Sequence, residues 1–190
     1  MRLGLFGGSF DPPHVGHLLV ASDAFEALSL DRLLFVPAAV QPLKIGRLSA
    51  TAEQRLAMTE LLVGDDDRFE VDPMEITRAG LSYTVDTLTA VAGRHPGAEL
   101  FFLVGADIPG SFSRWREPER IVELATLVVL QRAGAEPDLT ALPGSSRVVH
   151  TRRVDVSSTE IRDRVRTGKS IRGFVPDAVA EFISAELLYR

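Results

Sequence analysis

The sequence contains no cysteine among its 190 residues. Disulfide staples, thiol nucleophiles and zinc sites built on sulfur are thereby excluded. It also has no apolar stretch approaching the roughly 20 residues that a membrane-spanning helix requires. A glycine turn stands near the amino terminus, where a secretory leader would carry its apolar region. We therefore expect a soluble, cytoplasmic chain with no membrane partner. A basic excess is missing too: 21 Lys and Arg stand against 26 Asp and Glu, for a net charge of -5. General nucleic-acid binders carry a positive face to neutralise phosphates. No nucleic-acid partner is expected, although a small anionic ligand held by a few local cations remains compatible. Neither GxGxxG nor GxxxxGK[ST] occurs, so the dinucleotide fingerprint and the P-loop are both unsupported.

What is present reads as an ordinary globular chain, with 45% hydrophobic and 25% charged residues. Its length suits one core, and a single domain over 1–190 is expected. Short apolar runs at 3–6, 33–37, 69–76, 100–104, 127–130 and 148–156 read as strands. Between them, TAEQRLAMTELLV, YTVDTLTAVAGR and EPERIVELA space apolar residues three and four apart, as helices do. This alternation predicts βαβ units around a parallel sheet. LFFLV is apolar without alternation, as in a central strand covered on both faces. Loops are predicted at PAAVQPLKIGRLS and RAGAEPDLTALPGSS, where Pro, Gly and Ser collect. Ser157 precedes Glu160 by three residues, the spacing of a helix N-cap, and Pro176 is placed in the first turn of a final helix.

The opening segment, GLFGGSFDPPHVGHLLVASDAF, predicts strand, tight turn and helix. Gly7 and Gly8 permit close backbone approach, and Pro12 or Pro13 is suited to begin a helix because its missing N–H has no partner there. Such a turn presents bare N–H groups to an anion. His14 and His17 follow in the first turn, with Gly16 between them leaving room for a large ligand. Their spacing is i,i+3 with no intervening Glu, which does not match the helical zinc motif. Either imidazole can donate to a phosphate oxygen; local capping or packing is the alternative.

The whole string GGSFDPPHVGH resembles the GxFDPxHxGH signature of the nucleotidyltransferase superfamily, and SSTEIR at 157–162 resembles its second signature. LSYTVDTL (81–88), LVGAD (103–107), Trp115 and LQRAG (130–134) are similar to the bacterial nicotinate mononucleotide adenylyltransferases, and the likeness runs over essentially the whole chain. The resemblance implies a Rossmann-like, doubly wound, mostly parallel α/β fold. It further implies transfer of AMP from ATP to nicotinate mononucleotide in NAD biosynthesis, giving deamido-NAD and pyrophosphate, with Mg²⁺ bound through the ATP phosphates.

Carried over by residue, the resemblance puts ATP phosphates near Gly8, Ser9, Phe10, His14 and His17, and adenosine near Gly105 and Asp107. Ser158, Thr159 and Arg162 would meet the phosphates from a helix start. The mononucleotide would lie against Thr84, Asp86 and Trp115, with Arg132 nearby. His14, His17, Lys44 and Arg162 form the implied catalytic set. Where many relatives carry a His-Lys pair, this chain reads QPLKIGR, so Lys44 has Arg47 as a rival. Trp115 as a packing residue and Thr84 as a helix cap are the structural alternatives. Phosphopantetheine as acceptor, nicotinamide mononucleotide as acceptor, and a nucleotide-binding module without chemistry are the functional ones. A homodimer is allowed by the sequence but not required by it.

Overall fold

The computed structural model describes residues 1–40, 49–106, 108–132, 142 and 144–190, the side chains of Pro109 and Arg132 aside. Six strands form one sheet: β1 (Arg2–Gly8), β2 (Arg32–Pro37), β3 (Phe69–Val71), β4 (Glu99–Gly105), β5 (Thr126–Arg132) and β6 (Arg147–Thr151). Their order is β3-β2-β1-β4-β5-β6, and every neighbouring pair is parallel. The expected parallel sheet is thus parallel throughout. The chain winds outward from β1 to β3 and then returns to place β4 on the other side of β1. That reversal falls between β1 and β4, and open α/β sheets hold ligands at the carboxyl ends of the strands at such a point.

The helices are α1 (Val15–Ala27), α2 (Ala52–Val63), α3 (Met74–Arg78), α4 (Thr84–Arg94), α5 (Pro118–Leu124), α6 (Ser158–Arg166) and α7 (Asp177–Ala185). Strand alternation divides the interior into two cores. Phe35, Phe101 and Leu103 face α1, α2, α6 and α7 through Ala21, Met58, Ile161 and Val179. Leu5, Leu34 and Phe102 face α4 and α5 through Leu88, Val91 and Ile121. Because β4 is buried on both faces, its sequence shows no polar alternation. Helix α2 starts where the sequence says it should: the Gln54 N–H donates to Thr51 Oγ1 (3.2 Å) and the Thr51 N–H to Gln54 Oε1 (3.0 Å). Such a reciprocal cap stabilises a helix by about 1 kcal/mol.

Several predicted boundaries move, each for a local reason. The strand expected over 69–76 ends at Val71, because Pro73 lacks an N–H and the Asp72 carboxylate accepts from the Met74 N–H (3.0 Å), starting α3. The strand expected over 148–156 ends at Thr151, since the Arg152 N–H donates to Asp23 on α1 (2.8 Å) and so leaves the ladder. Helix α1 begins at Val15 with His14 as its N-cap, so neither Pro12 nor Pro13 starts it. Pro176 is the N-cap of α7 and lies just outside its first turn. Thr84 is the first helical residue of α4 with Tyr83 at the cap position, so it does not cap that helix.

Candidate active site

The turn after β1 lies at the sheet's reversal point. A Cβ on Gly8 would sit 2.8 Å from the Phe10 ring, so glycine is what lets that ring fold under the turn. Phe10 is buried with φ 49°, a left-handed conformation that costs a bulky residue about 1–2 kcal/mol. Its ring meets Phe6 (5.8 Å), Phe35 (5.8 Å) and the edge of His17 (5.1 Å). The Phe10 side chain therefore anchors the turn in the core, and its backbone is the part that can face a ligand. Strained backbone held by its surroundings is characteristic of ligand-binding turns.

What holds the strain is a set of hydrogen bonds from distant parts of the chain. The Asp11 carboxylate, 3% exposed, accepts from the Ser49 N–H (2.9 Å), the Ala50 N–H (3.1 Å) and the Tyr189 hydroxyl (2.8 Å). Arg55 on α2, 1% exposed, donates to the carbonyls of Ser9 (2.7 Å) and Ala39 (2.9 Å). Burial pushes its guanidinium below the ordinary arginine range while the negative charge of Asp11 opposes that; it stays protonated. In a trans peptide the Ser9 carbonyl and the Phe10 N–H point opposite ways. Fixing the carbonyl on Arg55 therefore aims that N–H away from α2. Arg162 donates to the Asp11 carbonyl (2.7 Å) and to Thr159 Oγ1 (3.1 Å), and the Ser158 hydroxyl donates to the Pro12 carbonyl (2.7 Å). Arg162 and Ser158 thus brace the turn itself.

The histidines complete this side. The His14 N–H donates to His17 Nδ1 (3.1 Å), which leaves the proton of a neutral His17 on Nε2, the nitrogen able to donate to an anion. The two rings stack, with centroids 3.8 Å apart and planes 27° apart. His14 is buried. A Cβ on Gly16 would lie 2.9 Å from His14 Nδ1 and 3.0 Å from Cε1. Gly16 makes room for the His14 ring, a correction to the expectation that it makes room for a ligand. The amino terminus of α6 abuts the same turn, with Ser157 Oγ accepting from the Glu160 N–H (3.2 Å) as its spacing predicted. Two helix starts, of α1 and α6, therefore converge on one glycine turn, an arrangement that favours phosphate.

The other face carries Trp115, Thr84 and Asp86. Gly105 ends β4, and its carbonyl accepts the Ile108 N–H (3.1 Å) at the entry to a 3₁₀ turn, Pro109–Arg114, which delivers Trp115. Trp115 is half-buried, edge-on to Phe102 (6.1 Å) and tilted against Phe112 (5.6 Å). The Phe102 ring lies 3.7 Å from where a Gly7 Cβ would be, so Trp115 stands one ring from the end of β1. Thr84 and Asp86 occupy the first turn of α4. Arg116 reaches Asp86 (3.5 Å) and lies 4.9 Å over the Tyr83 ring, linking α4 to the Trp115 segment. Arg132 ends β5 opposite Thr151. Lys44, Arg47 and Asp107 lie outside the described residues.

Asp11, Arg55, Tyr189, Arg116 and Glu75 carry this geometry without having been singled out in the sequence. Arg55 had a signal: it shares a stripe with Met58, Thr59 and Leu62, all buried, at helical spacing. Glu75 on α3 is buried and accepts from the Thr87 hydroxyl (2.5 Å), tying α3 to α4 beneath Thr84 and Asp86. Among the described residues, no group of three or more His, Asp or Glu could hold a metal ion.

The chain is similar in sequence and in fold to known proteins. A family model described as cytidylyltransferase-like matches residues 5–164. A protein of Gemmatimonas aurantiaca named "Probable nicotinate-nucleotide adenylyltransferase" is 54% identical, over 100% of this chain and 93% of the relative. One of the same name from Thermus thermophilus is 50% identical over 100% of both chains. Among solved structures, Plasmodium falciparum nicotinic acid mononucleotide adenylyltransferase complexed with NaAD superposes with a TM-score of 0.79 at 18% identity, covering 99% of this chain and 97% of that one. That last likeness is one of fold.

Glu75 supplies a test of the packing beneath this site. Burial raises its pKa above the ordinary 4.5, opposed by hydrogen bonds from Ser82 and Thr87 and by Arg78. A raised carboxyl pKa means the folded state holds the proton more tightly, so this contribution to stability is present below pH 4.5 and is lost as pH rises through the folded value. We expect the stability of Glu75→Gln relative to wild type to increase from pH 4 to pH 8 in urea titrations. A difference that stays constant with pH would contradict this.

Proposed function

Because the chain belongs to the nicotinate-nucleotide adenylyltransferases, within the cytidylyltransferase-like family, we propose that it transfers AMP from ATP to nicotinate mononucleotide. The products are nicotinate adenine dinucleotide and pyrophosphate, a step of NAD biosynthesis. The observation that carries the reading is the convergence of two helix starts and a stacked histidine pair on one glycine turn at the sheet's reversal point.

The nucleophile in this reaction is a phosphate oxygen of the mononucleotide, anionic at neutral pH, so no general base is required. It attacks the α-phosphorus of ATP in line, a new P–O bond forms, and the bond to the leaving pyrophosphate breaks on the opposite side. Catalysis then consists of aligning two polyanions and stabilising charge on the leaving group. His17 donates from Nε2 to the phosphates, and the stacked His14 holds its ring plane while adding a second imidazole to the set. Gly8, Ser9 and the Phe10 N–H line the triphosphate, joined by Ser158, Thr159 and Arg162 from α6. Lys44 is the further cation in the proposal. Adenosine lies toward Gly105 and Asp107, and the mononucleotide toward Thr84, Asp86, Trp115 and Arg132, where an aromatic face suits a pyridinium ring.

The groups proposed to face the phosphates are mainly N–H donors and cations, and the Asp11 carboxylate within the turn is already engaged by three hydrogen bonds. This set fits Mg²⁺ entering as part of Mg²⁺–ATP, held by substrate phosphates and water. When bound, the ion offsets charge on the departing pyrophosphate.

The reading is tested by pyrophosphate release from purified protein with Mg²⁺–ATP and, separately, nicotinate mononucleotide, nicotinamide mononucleotide and phosphopantetheine. Preference for the nicotinate compound is expected; release only with another acceptor, or with none, overturns the proposal. His17→Ala is expected to lower kcat about a hundredfold with little change in KM for ATP. Wild-type turnover with weakened ATP binding would remove His17 from the proposed role. Gly16→Ala tests the histidine stack. Alanine favours a helix by about 0.5–1 kcal/mol over glycine, so the fold should persist, yet turnover should fall at least tenfold as the His14 ring is displaced. Unchanged turnover would contradict the account.

A further inference from the structure

We propose that Tyr189 is a positioning residue for the phosphate-facing turn, acting through the buried carboxylate of Asp11. The two lie 178 positions apart in the chain, yet the Tyr189 hydroxyl donates to Asp11 Oδ1 at 2.8 Å. Oδ1 also accepts from the Ala50 N–H, and Oδ2 from the Ser49 N–H, just ahead of α2. Asp11 is therefore where three segments meet: the turn itself, the start of α2, and the stretch after α7. Arg55 on that same α2 holds the Ser9 carbonyl. A shift of the carboxylate consequently moves both supports of the turn together.

The stretch that carries Tyr189 is built for placement. Leu187 (φ 53°) and Tyr189 (φ 64°) are both left-handed, and they flank Leu188, which is buried in the core. Non-glycine residues adopt this conformation only where surrounding contacts hold them. Here the result is a leucine seated in the core and a phenol hydroxyl on Asp11. Burial and the charge of Asp11 both push the phenol pKa up, so the group remains a donor throughout the neutral range. A carboxylate taken out of water needs its lone pairs met by donors. Tyr189 supplies one of three. Without it the carboxylate is free to turn toward a replacement donor, carrying the Asp11 backbone with it, and the phosphates lose an aligned cradle while the mononucleotide side is untouched.

The inference rests on the proposed adenylyl transfer for its kinetic readout, and the experiment keeps the two separable. Tyr189→Phe retains the ring and removes only the hydroxyl. It is compared with wild type, Asp11→Asn and the double variant by kcat and KM for each substrate, melting temperature, and calorimetric affinity for a non-hydrolysable ATP analogue. The expected result for Tyr189→Phe is roughly a tenfold loss in kcat/KM for ATP and in analogue affinity, as for one hydrogen bond to a charged group. KM for the mononucleotide should stay within about twofold, and the double variant should be no worse than Asp11→Asn alone, as expected for residues acting as a unit. Wild-type ATP kinetics and analogue affinity in Tyr189→Phe, even with a lowered melting temperature, would overturn the inference by leaving a purely structural role. Losses that multiply in the double variant would overturn action through Asp11. Should Asp11→Asn not fold, the analogue affinity and substrate split of Tyr189→Phe decide alone. A wild-type protein that binds the analogue but releases no pyrophosphate would refute the proposed reaction and leave the clamp to be judged by analogue affinity.

Discussion

A carboxylate buried beside the end of the first strand must find donors or cost several kcal/mol, and the way Asp11 meets that requirement organises the rest of the molecule. Its three donors come from the segment just before α2 and from the stretch after α7. Its backbone carbonyl takes a fourth, from Arg162 on α6. Satisfying one group thus draws in the segments before α2, on α6 and after α7. The six-residue stretch between Gly8 and Val15 has no regular structure of its own. It is rigid because side chains from elsewhere occupy the carbonyls of Ser9, Asp11 and Pro12.

That rigidity matters because the chemistry proposed here is one of alignment. Where the nucleophile is already an anion, an enzyme gains most from fixing donors where charge develops, without reorganising during the step. The sheet supplies the frame. Its reversal between β1 and β4 sends α1 and α6 to one face and α4 and α5 to the other. The two faces consequently offer unlike surfaces to two unlike substrates. One gathers imidazoles, helix starts and an arginine; the other presents Trp115, Tyr83 and the Asp86–Arg116 pair. β1, bare of side chains at Gly7 and Gly8, is the seam between them.

The strands and helices were legible because burial on one face or two leaves a periodic trace, and the glycine turn with its histidines was legible because the residues are contiguous. The errors cluster where a side chain diverts the backbone: Asp72 starting α3, Asp23 capturing the Arg152 N–H, His14 replacing a proline at the head of α1. At Gly16 a glycine's vacancy says that something is near, and only the fold shows that it is the neighbouring His14 ring. Asp11 stood inside the motif, yet its partners are 38, 39 and 178 positions away. No local pattern encodes such a meeting. Arg55 is the intermediate case, a charge on an apolar stripe whose purpose appears only when the carbonyls it serves are seen.

The most direct measurement is a crystal structure of the protein with a non-hydrolysable ATP analogue and nicotinate mononucleotide bound together. A phosphate oxygen of the ATP analogue is expected within about 3 Å of His17 Nε2. The phosphates should lie over the turn between Gly8 and His14, and the pyridine ring on the Trp115 side of β1. Phosphates bound away from that turn, or both ligands on the same face of the sheet, would contradict it.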